Sequence, residues 1–98
     1  MEKQFKTDEE LFNTLSSIFV EALRINPEII KIESKLFPDL GAESIHILDI
    51  RFRIEETFGF KINQEHLIKS LGEGLNASQI QEKFTVKSLI DYIKDQMN

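Results

Sequence analysis

A serine hydroxyl can serve as a nucleophile beside a base, as an acceptor for a group delivered by another protein, or as a helix cap. Ser44 raises all three possibilities. It closes the polar turn Asp39-Leu40-Gly41-Ala42-Glu43 and opens an amphipathic run that ends at Phe58. The nucleophile reading lacks a base. His46 is two residues away, and side chains at i and i+2 of a helix diverge; His66 would have to fold across the molecule. The surroundings are not a G-x-S-x-G elbow either. Position alone favours the cap, because serine is among the best residues for it. The attachment reading adds that a helix N-terminus presents free N–H groups and a positive dipole end, which suit a phosphodiester made on that hydroxyl. Gly41, lacking a side chain, is expected to keep the approach open.

The remaining chemistry is sparse. There is no cysteine, so any thiol chemistry must use a sulfur brought by a cofactor. Two histidines and scattered carboxylates match no metal spacing. Gly72-Glu73-Gly74 is too short to cradle a phosphate. A net charge of −5 argues against nucleic-acid binding, which needs a basic stripe. No stretch has the length of a membrane span, and the N-terminus carries no apolar run of the signal-peptide kind. A cytoplasmic protein without membrane insertion is therefore expected. Asn76-Ala77-Ser78 fits a glycosylation triplet and is read as coincidence.

Ninety-eight residues with 41% apolar content suffice for one core, so residues 1–98 are expected to form a single domain, with 1–6 flexible. Thr7-Asp8-Glu9-Glu10 reads as a capping box that starts a first helix. Its apolar stripe is Leu11, Phe12, Leu15, Ile18, Phe19, Ala22 and Leu23, and Asn26-Pro27 is expected to end it. Residues 27–43 form a long connection in which several of Ile29, Ile30, Ile32, Leu36 and Phe37 must anchor to the core. A second helix runs from about Ser44 to Phe58 with Gly59 as its stop. Asn63 caps a short third helix carrying Leu67, Ile68 and Leu71, and Gly72-Glu73-Gly74 breaks the chain. Asn76 caps a further piece to about Lys83, and Thr85 caps a last helix with Val86, Leu89, Ile90, Ile93 and Met97 on one face. The fold class is all-α: a four-helix bundle with an extra helical piece before the last helix.

The second helix has two apolar faces. At about 100° per residue, Ile47, Ile50, Ile54 and Phe58 share a sector of about 80° and form the core face. Ile45, Leu48 and Phe52 lie nearly opposite, with Asp49 and Glu56 on one side and Glu55 on the other. Two readings stand. The second strip is buried under the long connection or the extra helical piece, or it docks a basic, partly apolar partner surface. Asp49 with Arg53 and Arg51 with Glu55 have i,i+4 spacing and form weak surface pairs.

Asp39-Leu40-Gly41-Ala42-Glu43-Ser44-Ile45 resembles the D-L-G-x-D-S-L attachment motif of acyl carrier proteins. Ile54-Glu55-Glu56-Thr57-Phe58-Gly59-Phe60-Lys61-Ile62 is similar to the family's acidic helix end followed by F-G-x-x-I. Thr85-Val86 through Asp91-Tyr92-Ile93 is similar to its T-V-x-x-x-x-x-Y-I pattern. The resemblance covers nearly the whole chain. It implies the carrier-protein four-helix bundle and 4′-phosphopantetheine placed on Ser44 by a phosphopantetheinyl transferase. The cofactor's thiol would carry an acyl group as a thioester, and the chain itself would be a carrier, not an enzyme. Acyl synthases and acyltransferases would dock on the second helix of a monomer, at Glu43, Ile45, Leu48, Asp49, Phe52, Glu55 and Glu56.

The departures are specific. Glu43-Ser44-Ile45 stands for the usual Asp-Ser-Leu, and His46, Arg51 and Arg53 occupy positions more often acidic, apolar or small. Between Ile62 and Thr85 the chain is more than a dozen residues longer than ordinary members. This resembles the specialised carriers that hand very long hydroxy-fatty acids to lipid A. The added piece, with Leu67, Ile68, Leu71, Leu75, Ile80 and Phe84, is expected to enlarge the acyl pocket. The alternatives are an aminoacyl or polyketide-type carrier, and an unmodified helical interaction module in which Ser44 only caps.

Overall fold

The computed structural model describes residues 7–97. The expectation of flexibility for residues 1–6 lies outside that range. Five α-helices follow one another: α1 (Asp8–Leu23), α2 (Ser44–Phe58), α3 (Gln64–Leu71), α4 (Ala77–Lys83) and α5 (Val86–Met97). A 3-10 turn, Pro27–Ile29, interrupts the long connection. The all-α expectation holds, and α4 is the extra piece.

The helix starts follow from local hydrogen bonding. Thr7 and Glu10 exchange backbone-to-side-chain bonds of 3.0 and 3.1 Å, the reciprocal capping box. Asn63 Oδ1 accepts from His66 N–H, and Asn76 Oδ1 accepts from Gln79 N–H. Thr85 and Ser88 do the same for α5, with Thr85 N–H donating to Ser88 Oγ and Ser88 N–H to Thr85 Oγ1. The end of α1 differs from expectation. It stops at Leu23, because Arg24 turns into the left-handed region at φ 60° before Pro27 is reached.

α1 packs on α2 and α5, and α3 on α4 and α5. Leu11, Leu15, Ile18 and Phe19 of α1 meet Ile50 and Ile54 of α2 and Val86, Leu89, Ile90 and Ile93 of α5 in one buried cluster. Full burial of each such side chain contributes about 1.5–3 kcal/mol. Ile47 and Phe58 pack on this cluster from its edge, as the core sector of α2 requires.

The long connection is anchored more tightly than its composition suggests. Ile30 and Leu36 are buried, Ile32 and Phe37 are half-buried, and Ile29 is exposed. Leu40 and Ala42 add buried anchors that the sequence reading did not include. Leu36 N–H donates to Phe84 O, and the first amides of α5 donate back, Val86 to Ser34 O and Lys87 to Ile32 O, all at 3.0 Å. An antiparallel bridge, Lys35 to Thr85, results. Those α5 amides would otherwise lack acceptors, so the loop both closes a helix end and is held by it. Lys35 Nζ lies 2.8 Å from Glu82 Oε1, tying the same loop to α4. The hydrogen bond to Glu82 and its charge push the Lys35 ammonium above the usual value of 10.5.

Candidate functional site

The turn before α2 is built residue by residue. Asp39 Oδ2 accepts from Lys35 N–H at 2.8 Å, and Asp39 and Leu40 return their amides to Lys35 O. Leu40 and Ala42 are driven into the core, and Ala42 N–H donates to Leu36 O at 2.9 Å. Gly41 sits at φ 76°, where a side chain is strained. A Cβ there would meet nothing within 4 Å. The glycine serves the backbone conformation, and the space beside it is open.

This turn delivers Glu43 as the N-cap of α2 and Ser44 as its first helical residue. Ser44 is exposed, and its hydroxyl is not the cap. The cap reading of Ser44 is thus corrected by one residue. Glu43 N–H is taken by His46 Nδ1 at 2.9 Å, while His46 and Ile47 amides donate to Glu43 O. The amides of Ser44 and Ile45 are left without an intrahelical acceptor, and the first turn contains no acidic residue. An anion joined to Ser44 Oγ meets free N–H groups there. Neither histidine serves Ser44 as a base: the His46 ring is committed to the Glu43 backbone, and His66 packs edge-on to Tyr92, with centroids 5.7 Å apart. Among the described residues no cluster of histidine, aspartate and glutamate has metal-ligand geometry.

Ser44 also lines an apolar cavity of about 190 Å3 between α2, α3, α4 and the long connection. Ile47, Leu48 and Arg51 share the wall with it, and Leu67, Ile68, Leu71, Ile80 and Phe84 complete the interior. Phe37 and Phe84 close it, with ring centroids 6.2 Å apart. On an ideal helix Ile47, Arg51, Ser44 and Leu48 span about 100°, a sector between the core face and the outer strip. Five of the six apolar residues expected to enlarge a pocket line it. Leu75 does not; it packs over Gly72.

The outer strip is free. Ile45, Leu48 and Phe52 are 73%, 63% and 60% exposed, so the reading that buried them under the loop or the extra piece is overturned. Asp49 and Glu56 flank them in solvent. Glu55 is different. Its side chain is only 10% exposed, and Oε2 accepts from Ile62 N–H at 2.8 Å. That carboxylate holds the α2–α3 connection and is not presented outward. Arg53 bridges Asp49 at 3.0 Å and Glu21 of α1 at 2.7 Å, and Arg51 approaches Glu55 at 3.7 Å.

Comparison with known proteins first gives the class. The family model for a phosphopantetheine attachment site matches residues 13–73, which include Ser44 and the whole of α2. Among relatives, an acyl carrier protein of Campylobacter hominis is 28% identical over 86 residues, covering 88% of this chain and 92% of that protein. Acyl carrier protein AcpXL of Rhizobium meliloti is 37% identical over 78 residues, 80% of each. An acyl carrier protein of Thermotoga maritima is 35% identical over 75 residues, 76% of this chain and 93% of its own. The chain belongs to the acyl carrier protein family. Its cofactor is 4′-phosphopantetheine, and it is a carrier and not an enzyme. As a member of that family it works with a phosphopantetheinyl transferase and with enzymes that handle acyl groups.

Proposed function

We propose that Ser44 is the residue that carries 4′-phosphopantetheine, and that the adjoining cavity shelters the acyl group. One observation carries this reading: an exposed hydroxyl at the start of a helix forms part of the lining of an apolar cavity. The residues suit the group. The amides of Ser44 and Ile45, which lack an intrahelical acceptor, suit a phosphate although the Glu43 carboxylate stands at the N-cap beside them, and the apolar walls suit a hydrocarbon. When bound, the cofactor supplies the thiol that this cysteine-free chain lacks. The test is incubation with coenzyme A and a promiscuous phosphopantetheinyl transferase. Wild type should gain one phosphopantetheine by intact mass and Ser44→Ala none. An unmodified wild type across several transferases sinks the proposal.

The transferase, acyl synthases and acyltransferases dock on the strip Ile45, Leu48 and Phe52, flanked by Glu43, Asp49 and Glu56. The protein acts as a cytoplasmic monomer. Three large apolar side chains left mostly in water forgo the greater part of the about 1.5–3 kcal/mol that full burial of each contributes, which a partner recovers by covering them. Leu48→Glu should slow modification by the transferase while leaving the thermal midpoint within a few degrees, since Leu48 is exposed. Equal rates would remove Leu48 from the docking surface.

The cargo is a long acyl chain, of the kind specialised carriers deliver to lipid A. Support comes from α4, which contributes Ile80 to the cavity wall, and from Phe84 just beyond it. The resting volume holds roughly six water-sized groups. A longer chain therefore requires α3 and α4 to part, and the Gly72-to-Gly74 break between them gives the joint for it. Chemical-shift mapping with acyl chains of increasing length tests this. Unchanged long-chain sequestration after deletion of residues 72–80 would refute it.

A further inference from the structure

Arg51 is the one cationic side chain lining the cavity. It lies seven residues after Ser44, which on a helix means about two turns along the axis and about 20° away in angle. The two side chains therefore rise from one ridge. The guanidinium is held loosely. Its Nη1 donates to Gln64 Oε1 at 3.5 Å, and its Nε stands 3.7 Å from Glu55 Oε2, beyond hydrogen-bond length. Glu55 Oε2 is already occupied by Ile62 N–H at 2.8 Å. Five N–H donors thus share one long hydrogen bond among the described residues.

The other polar members of the lining are Ser44 and Gln64, both exposed, whereas Leu67 and Phe84 are buried. The cavity is polar at its mouth and apolar within. An acyl chain carried at the end of the cofactor arm and inserted through this polar mouth would set its first carbons beside Arg51 and its tail against Leu67 and Phe84. Solvation and partial pairing with Glu55 account for a half-exposed arginine, but they leave its donors beside the path of the cargo unused.

We infer that Arg51 is a specificity residue that hydrogen-bonds an oxygen substituent near the thioester end of the bound acyl chain. The carrier then holds hydroxylated chains more firmly than plain chains of equal length. The inference rests on the reading of Ser44 and the cavity as the acyl site. A guanidinium donates to a hydroxyl or keto oxygen through a charge-assisted bond, and a plain methylene at the same place offers nothing in return.

The test loads the full chain with hexanoyl or 3-hydroxyhexanoyl pantetheine from the corresponding coenzyme A esters. These lengths match the roughly six groups the resting cavity holds. Cleavage of each thioester by hydroxylamine is measured relative to the same acyl group on free pantetheine, which removes differences in intrinsic reactivity. The hydroxylated chain should be protected about tenfold more than the plain one, equivalent to ~1.4 kcal/mol. Arg51→Met should erase that advantage, and the Arg51 Nε–Hε resonance should shift only with the hydroxylated cargo. Equal protection of both chains in wild type, or an advantage that survives Arg51→Met, overturns the assignment. A failure of the site reading is separable: the chain then gains no mass at the loading step, and the Arg51 assignment falls with it.

Discussion

Replacing Ser44 by alanine separates two roles that the same residue can play at a helix start. A serine N-cap lost to alanine costs about 0.5–2 kcal/mol, typically ~1. Here the N-cap is Glu43, and Ser44 is the first helical residue, exposed and outside the capping bonds. Alanine at that place is a good helix former and leaves no partner unsatisfied. The expected change is therefore within about 0.5 kcal/mol, the range of ordinary surface substitutions. Thr7→Ala supplies the internal reference, because Thr7 Oγ1 accepts from Glu10 N–H at 3.1 Å in a reciprocal box. It should cost about 1 kcal/mol, which for a domain of this size lowers the midpoint by roughly 4–8 °C. Both variants and wild type are compared as apo proteins by thermal circular dichroism, and each is then offered to the transferase. Ser44→Ala should melt with wild type and fail to take the cofactor. Thr7→Ala should melt early and still be modified. A Ser44→Ala midpoint as low as that of Thr7→Ala would show that the hydroxyl caps the helix, and the reasoning about its freedom would be wrong.

Three further outcomes follow from the geometry. Gly41→Ala should destabilise by roughly 1 kcal/mol through backbone strain alone, because φ is 76° and a Cβ meets nothing within 4 Å; an unchanged urea midpoint would refute the strain argument. Tyr92→Phe should cost less than about 0.5 kcal/mol, since the buried Tyr92 hydroxyl has no partner among the described residues; a loss above about 1 kcal/mol would reveal a hydrogen bond made through ordered water. The Lys35–Glu82 pair stabilises the protonated lysine, whose folded value lies above 10.5. Its contribution is fully present below 10.5 and fades as pH climbs through the raised folded value. Midpoints measured between about pH 9 and pH 12 should fall more steeply for wild type than for Glu82→Gln, and parallel curves would remove the pair from the stability of the loop.

What the sequence made legible was local. Capping boxes at Thr7, caps at Asn63 and Asn76, the left-handed stop at Gly59 and the two faces of α2 each depend on residues within two turns of one another. The resemblance then assigned family and cofactor, and comparison bears both out. What stayed hidden was non-local. Nothing near Leu36 announces that its amide will meet Phe84 O, and nothing near Glu55 announces its bond to Ile62 N–H. Leu40 and Ala42 read as parts of a polar turn, yet their burial fixes that turn against the core. Arg24 ends α1 in a left-handed conformation that preference rules reserve mainly for glycine and asparagine. The one-residue shift of the α2 cap, from Ser44 to Glu43, is small in position but decides whether the hydroxyl is free.

Helix α2 presents three surfaces, and their division explains why few of its substitutions should be interchangeable. Ile50 and Ile54 are locked in the core, where truncation costs about 2–5 kcal/mol and would unfold much of the domain. Ile45 and Phe52 face solvent, where truncation costs the fold little and alters only what can bind. Ile47 and Arg51 lie between, on the cavity wall. Leu48 belongs to two of these surfaces at once, because it is 63% exposed and also lines the cavity. A protein that covers the outer strip must therefore cover one edge of the cavity mouth. On the docking surface proposed above, binding and access to the cavity are coupled through Leu48, and a polar residue there should disturb both. A change at Phe52 should disturb docking alone, since Phe52 takes no part in the cavity lining.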